Sequence, residues 1–139
     1  KRQIYISRAD NSGTHVKEMK VFKAAGIDTK GKKWFHETGL GMGQTLSMAS
    51  EKSGYTLSDR GTYLAMKKTL ALEILREGDR DLLNIYHVIE VNEAKWPGVN
   101  TAGAKAFADF MVSAETQALI KKYGVAKYGS PLFFPDAVK

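Results

Sequence analysis

The chain has no cysteine and only three prolines in 139 residues. Without cysteine there is no disulfide, no thiolate metal site and no thiol nucleophile. A Cys-free chain suits cytoplasm and periplasm alike, so the compartment stays open. No apolar run approaches the ~18–20 residues that cross a bilayer. The phosphate-cradling pattern G-x-x-x-x-G-K-[ST] is absent, because Gln44-Thr45 stands where the lysine is required, and G-x-G-x-x-G is absent too. There is no G-x-S-x-G. His15, His36 and His87 lack metal spacing; His15 and Glu18 sit at i, i+3 with no third ligand in view. These absences argue against a nucleotide enzyme, a hydrolase and a metalloprotein. The chain opens on KRQIYIS, with neither Met nor an apolar leader. That start is expected of a fragment or a processed product.

What is present is globular in composition, 43% hydrophobic and 26% charged. Lys and Arg number 21 and Asp and Glu 15, a net +6. Residues 1–33 hold nine basic and three acidic residues, so they carry the whole surplus. A nucleic-acid surface calls for a basic stripe interleaved with exposed aromatics. Instead, Lys17, Lys20 and Lys23 share a helix, and Lys30, Lys32 and Lys33 share a loop. Both groups read as solvated surface, and no nucleic-acid partner is expected.

Strands and helices alternate, which argues α/β with a largely parallel sheet. Gln3–Ser7 reads as a strand. Ser12 caps a helix to about Ala25, with an apolar face of Val16, Met19, Phe22 and Ala25 and a stop at Gly26. Trp34–Glu37 is a short strand or irregular. A glycine-rich turn, Thr38–Gly43, opens a helix over about 43–52 that Gly54 closes. Tyr55–Ser58 reads as a strand. Asp59 caps a helix over 60–68 that packs through Tyr63, Leu64 and Met66. Leu70–Leu75 is ambiguous, and Glu77–Asp81 is a turn. Ile85–Val91 is the best strand in the sequence. Asn100 caps a helix to Val112, and Ser113 caps another that Gly124 stops. The tail is extended and aromatic. A weak boundary falls near Asn84.

The strongest local signal is Ser7-Arg-Ala-Asp-Asn-Ser-Gly-Thr-His15. A strand ends, Arg8 leaves its C-terminal edge, and Ser12-Gly13-Thr14 opens a helix. Ligands of open α/β sheets bind at that edge. A helix N-terminus offers unpaired N–H groups and a partial positive charge. Gly13 leaves the backbone open to approach, Ser12 and Thr14 add hydroxyls, and Arg8 adds a two-pronged donor. Together they make a donors-only socket for a tetrahedral oxyanion. The bare spacing is served equally by a plain N-cap with Arg8 in an ion pair with Asp10. The turn Gly39–Gly43 reads as close helix–strand packing. Asp59 and Arg60 stand at another strand's C-terminal edge and could face the same crevice.

Several motifs in order carry a wider resemblance. They are S-R-x-D-x-S-G-T-H (7–15), E-T-G-x-G-M-G-x-T-L-x-M-A-S-E-K (37–52), Y-T-L-x-D-R-G-T-Y (55–63) and P-G-V-N-x-A-G-A (97–104). The end, G-x-P-L-F-F-P-D-A (129–137), continues the set. Nearly the whole chain resembles the substrate-binding proteins of tungstate-specific ABC uptake systems, within the type II periplasmic binding proteins. The resemblance implies the second lobe of that two-lobed fold plus the C-terminal part of the first lobe. Residues 1–7 would be the first crossover strand, 8–84 the oxyanion-binding lobe, and 85–139 the second crossover and the return into the first lobe. It implies Arg8, Ser12, Gly13 and Thr14 as oxyanion contacts, with Asp59 and Arg60 in a lesser place. It further implies tungstate or molybdate as ligand, no cofactor, no catalysis, a membrane permease as partner, and a periplasmic or extracellular location. The rival within the fold is the ligand-sensing domain of a transcription regulator. The family usually has Gly in S-R-G-D; here it is Ala9, and a mild change in the turn is expected. Family members are about twice as long, so the helices over 100–123 are expected to expose apolar surface, open to self-association.

Overall fold

The computed structural model describes residues 3–137; the outer ends of the expected first crossover and of the C-terminal segment, residues 1, 2, 138 and 139, lie outside the described residues. The chain forms two compact units that divide between Leu83 and Asn84.

The first unit is built on β1 (Tyr5–Ser7) and β2 (Phe35–Glu37), which pair in parallel with Tyr5 opposite Phe35 and Ser7 opposite Glu37. On its other side β1 meets Tyr55 in a single parallel bridge, through Ile6 N–H to Tyr55 O at 2.8 Å and Tyr55 N–H to Ile4 O at 2.8 Å. The strand expected over Tyr55–Ser58 thus shrinks to one bridge. β1 is central, and all three segments run the same way.

Helix α1 (Gly13–Ala24) covers the face that carries Tyr5 and Ser7. The Phe22 ring stands edge-on to Tyr5 at 4.9 Å, and Phe35 stacks on Tyr5 at 5.7 Å. The apolar face expected for this helix is only partly used. Val16, Met19 and Ala25 are exposed and Phe22 is half-buried, while Glu18 is 1% exposed. Tyr5 and Ser7 each send a hydroxyl to that face. A carboxylate therefore fits inward better than an aliphatic chain would.

Ile6 points to the opposite face by strand alternation and is fully buried. There α2 (Met42–Glu51) presents Met42, Thr45, Leu46 and Ala49, spaced at i, i+3, i+4 and i+7. Met42 and Leu46 pack with Tyr63 of α3 (Arg60–Met66), and Leu64, Met66, Leu70 and Leu72 close the cluster. Fully burying a side chain such as Leu46 contributes roughly 1.5–3 kcal/mol, and the half-buried members contribute less. The ambiguous segment Leu70–Leu75 has no regular structure; it serves as a lid on this core, and Leu72 O accepts from Tyr63 OH at 3.1 Å. The stop of α2 differs from expectation. Ser53 holds the left-handed turn at φ 49, and Gly54 serves close approach, because a Cβ there would stand 3.1 Å from Ile4 O.

The second unit holds α4 (Thr101–Val112), α5 (Ala114–Lys122) and a short α6 (Val125–Tyr128). Asn100 caps Gly103 N–H at 2.9 Å and Ser113 caps Thr116 N–H at 3.2 Å. The Gln117 side chain ties the unit together, donating to Met111 O at 2.8 Å and accepting from Asp136 N–H at 3.2 Å. Gly124 has φ +90, and a Cβ there would strike Leu132 at 2.6 Å. The strand expected over Ile85–Val91 does not form. A strand needs a neighbouring ladder, and among the described residues none pairs with it. Ile89 is 81% exposed and Tyr86 74%. Phe107 and Phe110 on α4 are exposed as well, in line with the apolar surface expected there.

Candidate functional site

The parallel register places three chain segments at one edge of the sheet. Ser7 and Glu37 end level, and the segment after Tyr55 runs beside them. Past this edge come the loop 8–12 into α1, the turn 38–41 into α2, and Ser58-Asp59 into α3. Thr38 joins the first two, its Oγ1 donating to Ser7 O at 2.8 Å.

The loop 8–12 is held by its own side chains. Ser12 has extended backbone and its Oγ accepts from His15 N–H at 3.3 Å, which makes it the N-cap expected. Asp10 Oδ2 accepts from an Arg8 terminal nitrogen at 2.6 Å, and Oδ1 accepts from Ser12 N–H at 3.1 Å. Ala9 has φ +48 and Asn11 φ +59, both in the left-handed region. Ala9 N–H donates to Ser7 Oγ at 3.2 Å, and Asn11 N–H donates to His15 Nδ1 at 3.1 Å. The change expected from Ala in place of Gly is therefore one of strain. The turn keeps a left-handed backbone and imposes it on a residue with a Cβ, at about 1–2 kcal/mol.

Among the described residues, three donors in this stretch have no protein acceptor. Arg8 Nε is buried and lacks a hydrogen-bond partner among the described residues. The N–H groups of Gly13 and Thr14, at the first turn of α1, find no acceptor among the described residues either. A Cβ added at Gly13 would meet nothing within 4 Å, so that face of the helix end is open.

The donors-only description needs correction. The Asp10 carboxylate sits inside the socket and takes a share of both Arg8 and Ser12. The Ser12 hydroxyl, the Ser12 N–H and the Arg8 guanidinium hold its carboxyl down at about 2. Asp10 is thus a fixed anion that balances Arg8. It is not a base waiting for a proton, and the partial positive charge of the α1 terminus is left uncompensated beside it.

Behind the loop, Glu18 receives the hydroxyls of Ser7 and of Tyr5, the latter at 3.2 Å. Burial pushes the Glu18 carboxyl up, against the pull of those two hydrogen bonds and of His15. Burial and the adjacent carboxylate likewise push the Tyr5 phenol up. A polar residue buried against strand β1 gave no signal in apolar periodicity; its only trace was the hydroxyls at Tyr5 and Ser7.

Asp59 and Arg60 are committed to local partners. Asp59 Oδ1 caps Thr62 N–H at 2.8 Å, and Thr62 Oγ1 bonds both carboxylate oxygens. Arg60 donates to Glu77 at 2.6 Å. The turn at Gly39–Gly43 serves packing, but between helices: a Cβ on Gly43 would stand 3.2 Å from Met66 Sδ on α3. A groove of about 740 Å³ lies at the far end of the strands, beside Ile4, Trp34 and Tyr55. It is on the wrong edge to involve the Arg8 loop.

Comparison with known proteins adds four matches. Residues 4–115 match the PBP superfamily domain. A tungstate-binding protein TupA of Peptoclostridium acidaminophilum is 48% identical over 135 residues, covering 97% of this chain and 47% of that protein. Another, from Campylobacter jejuni, is 36% identical over 137 residues, covering 96% of this chain and 50% of that one. Among solved structures, the tungstate-binding protein TupA of Desulfovibrio alaskensis superimposes with a TM-score of 0.81 at 36% identity, over 99% of this chain and 56% of that one. The chain spans about half the length of the curated relatives it matches.

Proposed function

The chain belongs to the PBP superfamily, and from that premise we propose that it captures a tetrahedral oxyanion for an ABC uptake system. Tungstate is the first candidate and molybdate the second, as the names of the relatives suggest. Its working partner is then a membrane permease, its place extracytoplasmic, and its task transfer without bond making or breaking. The regulator reading shares the fold and the socket; the relatives' names favour transport.

The observation that carries the proposal is the set of unanswered donors at one sheet edge: buried Arg8 Nε and the N–H groups of Gly13 and Thr14. An oxyanion supplies acceptors for all of them at once. Ser12 Oγ already accepts from His15 N–H, and its one proton reaches the anion only by leaving the Asp10 carboxylate. Thr14 can add its hydroxyl. Arg60 is held by Glu77 through one terminal nitrogen, and Asp59 serves by capping the helix that carries it.

Nanomolar affinity needs about −12 kcal/mol. Charge-assisted hydrogen bonds supply about 1.5–3 kcal/mol each, and a helix terminus up to ~2. Desolvation of the anion and its lost freedom oppose them. Contacts from this one wall leave binding well short of nanomolar. Titration calorimetry with sodium tungstate, molybdate, sulfate and phosphate tests the reading. Tungstate and molybdate should bind measurably, and Arg8→Gln should abolish it. Indifference to all four anions would refute the function, and nanomolar affinity for this chain would refute the one-wall arithmetic.

A further inference from the structure

His15 and Glu18 stand one turn apart on α1, and the proposed capture of an oxyanion uses neither. Both reach back to the loop that precedes their own helix. Glu18 is 1% exposed, and its Oε1 accepts the Ser7 hydroxyl proton. That bond fixes the Ser7 hydroxyl as a donor toward the helix. Its lone pairs are left for the Ala9 N–H, which donates to Ser7 Oγ at 3.2 Å. Ala9 is the strained left-handed residue that follows Arg8. Strained backbone of this kind persists only where its surroundings over-determine it. His15 does the same for the second left-handed residue, taking Asn11 N–H on Nδ1.

We propose that Glu18 is a positioning residue for the oxyanion socket: acting through Ser7, it locks the Ala9 turn and so sets where the Arg8 guanidinium stands. The proposal rests on the oxyanion reading of that socket. In this chain the lock carries extra weight, because alanine occupies the left-handed position and does not favour it unaided. Without Glu18 the Ser7 hydroxyl is free to rotate. The Ala9 amide then loses a fixed acceptor, and Arg8 samples several positions. Glutamine keeps the carbonyl oxygen that receives the Ser7 proton; alanine does not.

The test compares Ser7→Ala, Glu18→Ala and Glu18→Gln in the 139-residue chain, by sodium tungstate titration and by amide hydrogen exchange at Ala9. Ser7→Ala and Glu18→Ala should weaken tungstate binding by about tenfold, the equivalent of losing one hydrogen bond's orientation. They should also speed exchange at Ala9, while amides in α4 and α5 keep their protection. Glu18→Gln should retain binding within about threefold, together with the Ala9 protection. If Ser7→Ala and Glu18→Ala bind as tightly as the parent, the proposal is overturned. It is also overturned if glutamine fails as badly as alanine. Should Glu18→Ala not fold, Ser7→Ala and Glu18→Gln decide the matter. If the parent binds no oxyanion, the functional reading falls, and exchange at Ala9 alone still decides whether Glu18 holds the turn.

Discussion

Adding one methyl group at Gly13 should move stability and affinity in opposite directions. Gly13 is the first residue of α1, its φ is not left-handed, and a Cβ there touches nothing within 4 Å. Nothing in the fold therefore requires glycine. Alanine removes conformational freedom from the unfolded chain and should stabilise by about 0.4–1 kcal/mol. The same methyl would stand on the open face of the helix end, where the anion is proposed to meet the backbone. Losing one charge-assisted contact there costs about 1.5–3 kcal/mol, or roughly 10- to 150-fold in Kd. The assay pairs urea unfolding with tungstate calorimetry on the same Gly13→Ala preparation. A variant that binds as well as the parent would place the anion away from the α1 terminus and refute the reasoning. A variant that is less stable would refute the open geometry instead.

Two further outcomes follow from the loop and its support. Ala9→Gly should raise stability by about 0.5–1 kcal/mol, the left-handed strain relieved less the added freedom of glycine in the unfolded chain; a lower urea midpoint would contradict the φ of +48. Glu18 has its folded pKa raised, chiefly by burial. It therefore binds its proton more tightly folded than unfolded. Its contribution is fully present below the ordinary carboxylate range and is lost as pH rises through the raised value. Thermal melts of the parent should fall relative to those of Glu18→Gln as pH rises above the ordinary carboxylate range, and parallel profiles would show that the carboxylate is not desolvated.

The sequence revealed most where the chemistry is local. Ser12, Asp59, Asn100 and Ser113 each cap the helix expected of them, because an N-cap needs only a side-chain oxygen and an amide three residues on. The Arg8 loop was legible for the same reason, and so was its alternative, the pair with Asp10. The cap and the Arg8–Asp10 pair are both present, and they are what that alternative asked for. What escaped was decided by distant partners. Ile85–Val91 has every residue of a strand and, among the described residues, no neighbour to pair with. Glu18 turns inward because two hydroxyls on β1 await it, a fact that the spacing of apolar residues on α1 does not encode. Gly54 is dictated by the backbone of Ile4, fifty positions upstream. The short α6 is framed by left-handed glycines and has too few residues to show a period.

The parallel register that gathers the loops also bears on how the first unit is made. Parallel neighbours cannot be joined by a tight hairpin, so Tyr5 meets Phe35 and Tyr55 only after long stretches of chain have been closed into loops. That closure entropy must be met before the pairing rewards it, and it slows folding. The α1 helix can flicker into existence early, since its cap and first turn are local. The socket cannot, because Ser7 is fixed only when β1 is flanked on both sides. A folding chain therefore acquires helix signal before it acquires any capacity to hold an anion. If the proposed socket holds an anion, an anion added during refolding should leave the rate of assembly unchanged.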